Sequence, residues 1–344
     1  MSAAERQTNC FRRVDVHHHF ILDASDKAQR NAEVGFRTPA ENLPWTPVVS
    51  LRAMDAMGID FAILSLPPYL PGGDIGPQNR SAAREFNLLA ARICKENPSR
   101  FGFFACLPKP NDSEGTAVSE IRFAIDELGA LGVIVASSYG EGDNATYIGD
   151  DGYDLVWEEL DRRKAVVFLH GAQTPSSTPF PHPFLGIPIT EVPNETFKAA
   201  AHLVVTGKKR RFHDVKIILA HLGGSTPSLA PRVAVLSRHM GCPLTREEIL
   251  EDFKSFYYET ALSAHESTLA AMKTFVEPDH ILFGTDFPAV STDMAEWFTN
   301  NVVNHYGRGT IALEDVMSKN ALKLFPALRS SCFLAAQDSG SLDV

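Results

Sequence analysis

Eight short apolar runs recur along the chain, at 14–20, 61–67, 101–108, 133–138, 165–171, 216–222, 256–261 and 281–288. They are rich in β-branched and aromatic residues and nearly continuous in hydrophobicity, as strands covered on both faces must be. Segments with helical spacing lie between them. Phe86, Leu89, Ala90 and Ile93 form one stripe of 82–96, which stops before Asn97-Pro98. Ile121, Ile125, Leu128 and Leu131 do the same in 119–131, and 153–163, 197–212, 269–276 and 313–325 are similar. Strand–helix alternation on this scale predicts an α/β fold, a (β/α)₈ TIM barrel. No internal repeat and no Gly/Ser-rich linker interrupts it, so one domain is expected over 1–328, with a polar, loosely held tail over 329–344. Two connections are long, 21–47 after the first strand and 172–194 after the fifth. Both follow strand C-termini, where a barrel carries its active site.

Composition removes several classes of function. The 344 residues are 44% hydrophobic and 22% charged, which is ample for a large core. The formal net charge of -10 argues against a general nucleic-acid binder. Cys10, Cys94, Cys106, Cys242 and Cys332 form no CxxC pair and read as reduced thiols. The first residues lack a signal-peptide apolar core, and no stretch approaches the roughly 20 apolar residues of a membrane span. A cytoplasmic protein without membrane partners is the expectation.

Four of the eight strands end in a residue able to bind a metal. The first ends Asp15-Val16-His17-His18-His19, and alternation of side chains points His17 and His19 one way and His18 the other. The fifth ends in His170, the sixth in His221 and the eighth in Asp286. A barrel brings all of these to one mouth. A lone histidine at a strand end is usually a hydrogen-bonded structural residue; the same coincidence at four strand ends points to a metal.

These motifs carry a family resemblance. The H-x-H of strand 1, LHG of strand 5, AHLGG of strand 6 and GTDFP of strand 8 resemble the amidohydrolase superfamily over about 14–325. With VPNETFKAA, RFHDVKIILAHLGGSTPSLAPRV and FYYETA, they resemble its aminocarboxymuconate-semialdehyde decarboxylase branch, which includes salicylate, resorcylate and 6-methylsalicylate decarboxylases. The resemblance implies one divalent metal held by His17, His19, His170 and Asp286, with His221 as a nearby acid/base or substrate contact. Three imidazoles and a carboxylate suit Zn²⁺, or Mn²⁺ as the alternative. A binuclear site in this superfamily takes a bridging Lys or Glu near strand 4, and 133–138 holds neither.

The implied reaction is non-oxidative decarboxylation of a small hydroxybenzoic acid such as 6-methylsalicylate or salicylate. Asp286 is the natural proton carrier beside the metal, with His221 the other candidate donor. Phe20, Phe184, Phe287 and Trp297 lie on or after strand ends, where they either sandwich an aromatic ring or pack into the core. Arg232 is a candidate contact for the substrate carboxylate, sometimes across a dimer interface in this branch, or a surface ion pair. Arg52 matches a recurrent family position, or only pairs with Asp55 or a neighbouring loop. Glu259 is a weaker member of the proton network, His18 a packing or supporting residue, and Asp15 a brace for strand 1. Pro175, Pro179, Pro181, Pro183 and Pro188 stiffen a possible lid that also carries His182. His202, His213, His239, His265, His280 and His305 read as structural. The resemblance implies a homodimer or homotetramer. The alternative chemistry is a metal-dependent hydrolase or hydratase of a lactone or unsaturated acid. A scaffold that kept the barrel and lost catalysis is a third class, disfavoured because every ligand is present.

Overall fold

In the computed structural model, which describes residues 11–21, 23–67, 76–110, 115–140, 145–172 and 181–329, the eight apolar runs become eight parallel strands. These are β1 Val14–His19, β2 Phe61–Ser65, β3 Phe101–Ala105, β4 Gly132–Ala136, β5 Val166–His170, β6 Lys216–Leu219, β7 Tyr257–Glu259 and β8 Ile281–Leu282. Each pairs with the next in chain order. The sheet closes on itself where Val16 N donates to Phe283 O at 3.0 Å and Asp286 N donates to His17 O at 2.9 Å. The result is a (β/α)₈ barrel, as the alternation predicts. Its interior is a packed core rather than a channel: Phe104 stacks on Phe168, and Phe168 lies edge-on to His17 with ring centroids 4.8 Å apart.

The longer helices are α1 Ala24–Val34, α2 Pro47–Met57, α3 Pro77–Glu96, α4 Thr116–Asp126, α5 Asp154–Arg162, α6 Ile187–Val205, α7 Thr226–His239, α8 Arg246–Lys254, α9 Glu266–Phe275 and α10 Thr292–Tyr306. None of the helices among the described residues is long and apolar enough to cross a membrane. Two differ from the sequence reading in ways that matter for the site. The helix expected at 197–212 starts at Ile187 instead, because Pro188 sits in its first turn, where a missing N–H costs nothing. That places Ile189, Val192 and Pro193 beside the barrel mouth. Pro175 and Pro179 lie outside the described residues, so the proline-stiffened lid is not described as a whole.

The connection 21–47, expected to be a long loop, contains α1. Asp23 caps its start by accepting from Ser25 N and Asp26 N, and Gly35 ends it in the left-handed conformation. Val34 is the only large apolar residue of this helix; its buried stripe is Lys27, Asn31 and Val34, spaced i, i+4, i+7. Farther along, Asn42 donates to Pro288 O and Val290 O at 3.0 and 2.9 Å, tying this connection to the one after β8. The two segments therefore form one wall of the mouth.

Candidate active site

Strand alternation delivers the first two site residues as expected. His17 and His19 face inward with their Nε2 atoms 3.0 Å apart. His18 faces away, bonded through Nδ1 to Asp15 and through Nε2 to Ser50 Oγ. Asp15 also accepts from Thr285 N and Oγ1, so it braces β1 against the chain leaving β8. Phe168 and His170 share the inward face of β5 by the same period of two, placing an apolar floor beneath the imidazoles.

His221 and Asp286 sit just past their strands, and both have positive φ, 58° and 63°. For residues other than glycine this conformation is costly and is kept where the surrounding structure imposes it, often at functional positions. It turns Asp286 so that Oδ1 lies 3.3 Å from Nε2 of both His17 and His19. The other oxygen, Oδ2, lies 3.9 Å from His221 Nε2.

Each imidazole spends its Nδ1–H on a fixed acceptor. His17 donates to Glu259 Oε1 at 2.9 Å, His19 to Ser65 O at 3.2 Å, His170 to Gly171 O at 2.9 Å and His221 to Ala261 O at 3.0 Å. These partners assign the tautomers, leaving His17, His19 and His170 to converge with Asp286 while His221 Nε2 faces Asp286 Oδ2. Lone pairs 3.0 Å apart beside an ionised carboxylate call for a positive charge between them. The His17, His19, His170 and Asp286 ligand atoms all lie within 4.8 Å of one another, and all four residues are buried. This donor set fits a borderline divalent cation.

The protonation tendencies agree. Burial alone would raise the Asp286 carboxyl, but His17 and His19 beside it hold it well below the usual carboxylate range. Burial alone would lower His17, but Glu259 and Asp286 outweigh it and push the imidazole up to about 10. Burial lowers His19 and, more strongly, His170. Two carboxylates in this centre demand positive charge and the outlying imidazoles resist carrying it as a proton.

Glu259 is more central than the sequence suggested. Completely buried, it accepts from His17 Nδ1, from His221 N at 2.5 Å and from Ala261 N at 2.7 Å. It thereby fixes one candidate ligand and the backbone of the acid/base candidate. The signal for it lies in the GTDFP motif: a Cβ on Gly284 would stand 2.2 Å from Glu259 Oε2, so only glycine leaves room for this carboxylate. Gly224 of AHLGG is constrained similarly, with φ of 59° and the Pro193 carbonyl 2.0 Å from where a Cβ would be.

A cavity of about 300 Å³ opens onto His19, His170, His221 and Asp286. Its other walls are mostly apolar and include Ile21, Phe36, Ile189, Val192, Leu262, Val290, Met294 and Phe298, with Lys27 and Ser263 as the polar exceptions. None of the aromatic residues singled out from the sequence is among them. Phe20 follows His19 on the opposite face and packs in the core near Trp45. Phe287 is likewise buried, against His18. Phe184 is 82% exposed beside His182, and Trp297 is 55% exposed, stacked on His265. Proximity to a strand end did not determine side-chain direction. On α10 the next residue, Phe298, a third of a turn away, is the one in the cavity. Arg232 lies on the exposed face of α7 and does not reach the cavity of its own chain. Arg52 is exposed on α2, and Asp55 pairs with Arg100 instead.

Residues 14–327 match the amidohydrolase family model. This chain belongs to the amidohydrolase family. Within it, the chain falls in the aminocarboxymuconate-semialdehyde decarboxylase-like branch that its motifs resemble. It is 37% identical over 335 residues to the 6-methylsalicylic acid decarboxylase of Aspergillus aculeatus, covering 92% of this chain and 97% of that one. Over 293 residues it is 28% identical to the gamma-resorcylate decarboxylase of a Rhizobium species, covering 80% and 85%. Among solved structures, the dihydroxybenzoic acid decarboxylase of a Polaromonas species, with bound manganese and the inhibitor 2-nitroresorcinol, superposes with a TM-score of 0.77. The identity there is 25%, covering 91% of this chain and 96% of the other.

Proposed function

We propose that the protein is a metal-dependent, non-oxidative decarboxylase of a small ortho-hydroxybenzoic acid, with 6-methylsalicylate as the leading substrate. One observation carries the reading. Three histidines and an aspartate converge at an apolar cavity of single-ring size, in a chain similar over 92% of its length to a 6-methylsalicylic acid decarboxylase.

His17, His19, His170 and Asp286 would hold one divalent cation, Zn²⁺ in this reading, with Mn²⁺ as the alternative. When bound, the cation supplies positive charge that anchors an anionic oxygen of the acid. The remaining work falls to the chain. Phe36, Phe298, Val192 and Leu262 hold the ring and exclude water, which strengthens every charge interaction at the centre. The ortho hydroxyl donates electron density to the carboxylate-bearing carbon and makes it basic. Asp286 carries the proton to that carbon, and His221, facing Oδ2, supplies Asp286 with it. The carbon–carbon bond to the carboxylate then breaks, its electron pair restores the aromatic ring, and CO₂ leaves. The product is the corresponding phenol. In this reading the chain works as a homodimer or homotetramer, and Arg232 contacts a substrate only from a neighbouring subunit.

The test is incubation with a panel of ortho-hydroxybenzoic acids, with Zn²⁺ and then Mn²⁺ supplied, following CO₂ and phenol. Equal amounts of both products support the reading; no turnover of any acid with either metal rejects it. Gain of the mass of water by a lactone or unsaturated acid would favour the hydrolase or hydratase alternative.

A further inference from the structure

We propose that Lys27 is the counter-charge that recognises the anionic group of the substrate, giving the cavity its preference for aromatic acids over neutral rings of the same shape. Lys27 is the one Lys or Arg among the described residues lining the cavity. It lies on the buried stripe of α1 and is only 8% exposed. Among the described residues, its ammonium has no hydrogen-bond or ion-pair partner. Its side chain is buried along α1 while the residue lines the cavity, and a cation without a partner in a mostly apolar wall favours an anion beside it.

Charge balance points to the same role. In the loaded centre the carboxylates of Asp286 and Glu259 offset a divalent cation, and the Nδ1–H tautomers keep the imidazoles neutral. The chain as a whole is acidic, at -10. A monoanionic acid anchored at the cation therefore finds in Lys27 the one further cationic Lys or Arg side chain among the described residues lining the cavity. Its location also separates it from Arg232, which is exposed on another helix.

The inference rests on the aromatic-acid reading of the cavity but is tested without turnover. 2-Fluorobenzoate and 2-fluorobenzamide share size and shape and differ in charge. Both lack the ring hydroxyl that decarboxylation needs. Their affinities for Zn²⁺-loaded protein are measured by ¹⁹F NMR titration, for the wild type, Lys27→Met and Lys27→Arg. The acid-to-amide affinity ratio is expected to fall at least about five-fold in Lys27→Met and to be retained in Lys27→Arg. A smaller fall in Lys27→Met overturns the proposal, as does an equal loss for both ligands, which would make Lys27 a packing residue. Wild-type protein that binds neither overturns it too. Retained selectivity without turnover of hydroxybenzoates would instead reject only the decarboxylase reading.

Discussion

Oδ2 of Asp286 lies 3.9 Å from Nε2 of His221, while Oδ1 of the same carboxylate faces His17 and His19 at 3.3 Å. One residue thus joins the metal-competent cluster to the acid/base candidate. The left-handed backbone at both Asp286 and His221 holds them in this relation.

Replacing His221 with Asn is expected to separate the two functions. Metal content, measured by elemental analysis of the purified protein, should remain near the wild-type level. Turnover of the acid should fall by about 10²–10⁴-fold, the range for a lost general acid/base. Loss of metal together with activity would make His221 a ligand instead. Asp286→Asn should abolish turnover in the same assay; preserved turnover would remove Asp286 as the proton carrier.

Glu259→Gln should weaken both metal affinity and the fold. The amide is nearly isosteric, yet it lacks the negative charge that orients and enriches His17. Chelator competition is expected to show affinity about 10–100-fold weaker, and the thermal midpoint should fall as well, because the amide NH2 must face an N–H group that the carboxylate accepts from. Unaltered metal affinity would show that the carboxylate serves only the backbone N–H groups of His221 and Ala261.

The aromatic wall gives a contrast within one helix. Phe298→Ala is expected to raise KM for the acid by roughly ten-fold, through lost ring packing on the order of 1–2 kcal/mol. Trp297→Ala, one residue earlier and half exposed, should leave KM within about two-fold. Steady-state kinetics on both variants checks this, and the reverse ranking would return the ring contact to Trp297.

How far the sequence could be read follows from these residues. His17 and His19 are legible because alternation on a strand is strict, and His170, His221 and Asp286 because strand ends share one barrel mouth. Side-chain direction beyond a strand end has no such rule, so Phe20 and Phe287 turned inward to the core while Phe36 and Phe298 went unnoticed. Lys27 was hidden because α1 buries a lysine and an asparagine on its inner stripe, where a core-facing helix ordinarily shows large apolar residues. Glu259 was undervalued because its partners are backbone N–H groups and one imidazole, which no motif spells out except through Gly284.

Away from the site, Glu159 predicts a dependence on acid. It is buried on α5 and bonded to Arg122, Arg162 and Arg163. Burial alone would raise its carboxyl, but hydrogen bonds from Arg162, Arg122 and Arg163 hold it far below the ordinary value of 4.5. A depressed folded value means the stabilisation is present above pH 4.5 and is lost as pH falls further below it. Glu159→Gln should therefore destabilise the protein at pH 7, on the order of 1–3 kcal/mol. In urea unfolding, its deficit should shrink as the pH is lowered into the acid range. A deficit that stays constant with pH would assign the effect to packing.

The central claim is protonation of the carboxylate-bearing ring carbon by an acid/base pair at a metal centre. Turnover of 6-methylsalicylate by the Zn²⁺-loaded protein in D₂O, read by mass spectrometry and NMR of the product, tests it most directly. The account predicts CO₂ and 3-methylphenol carrying one deuterium, at the carbon between hydroxyl and methyl, with no product after chelation of the metal. Unchanged acid, a product that has gained water, or 3-methylphenol without deuterium at that carbon would contradict it.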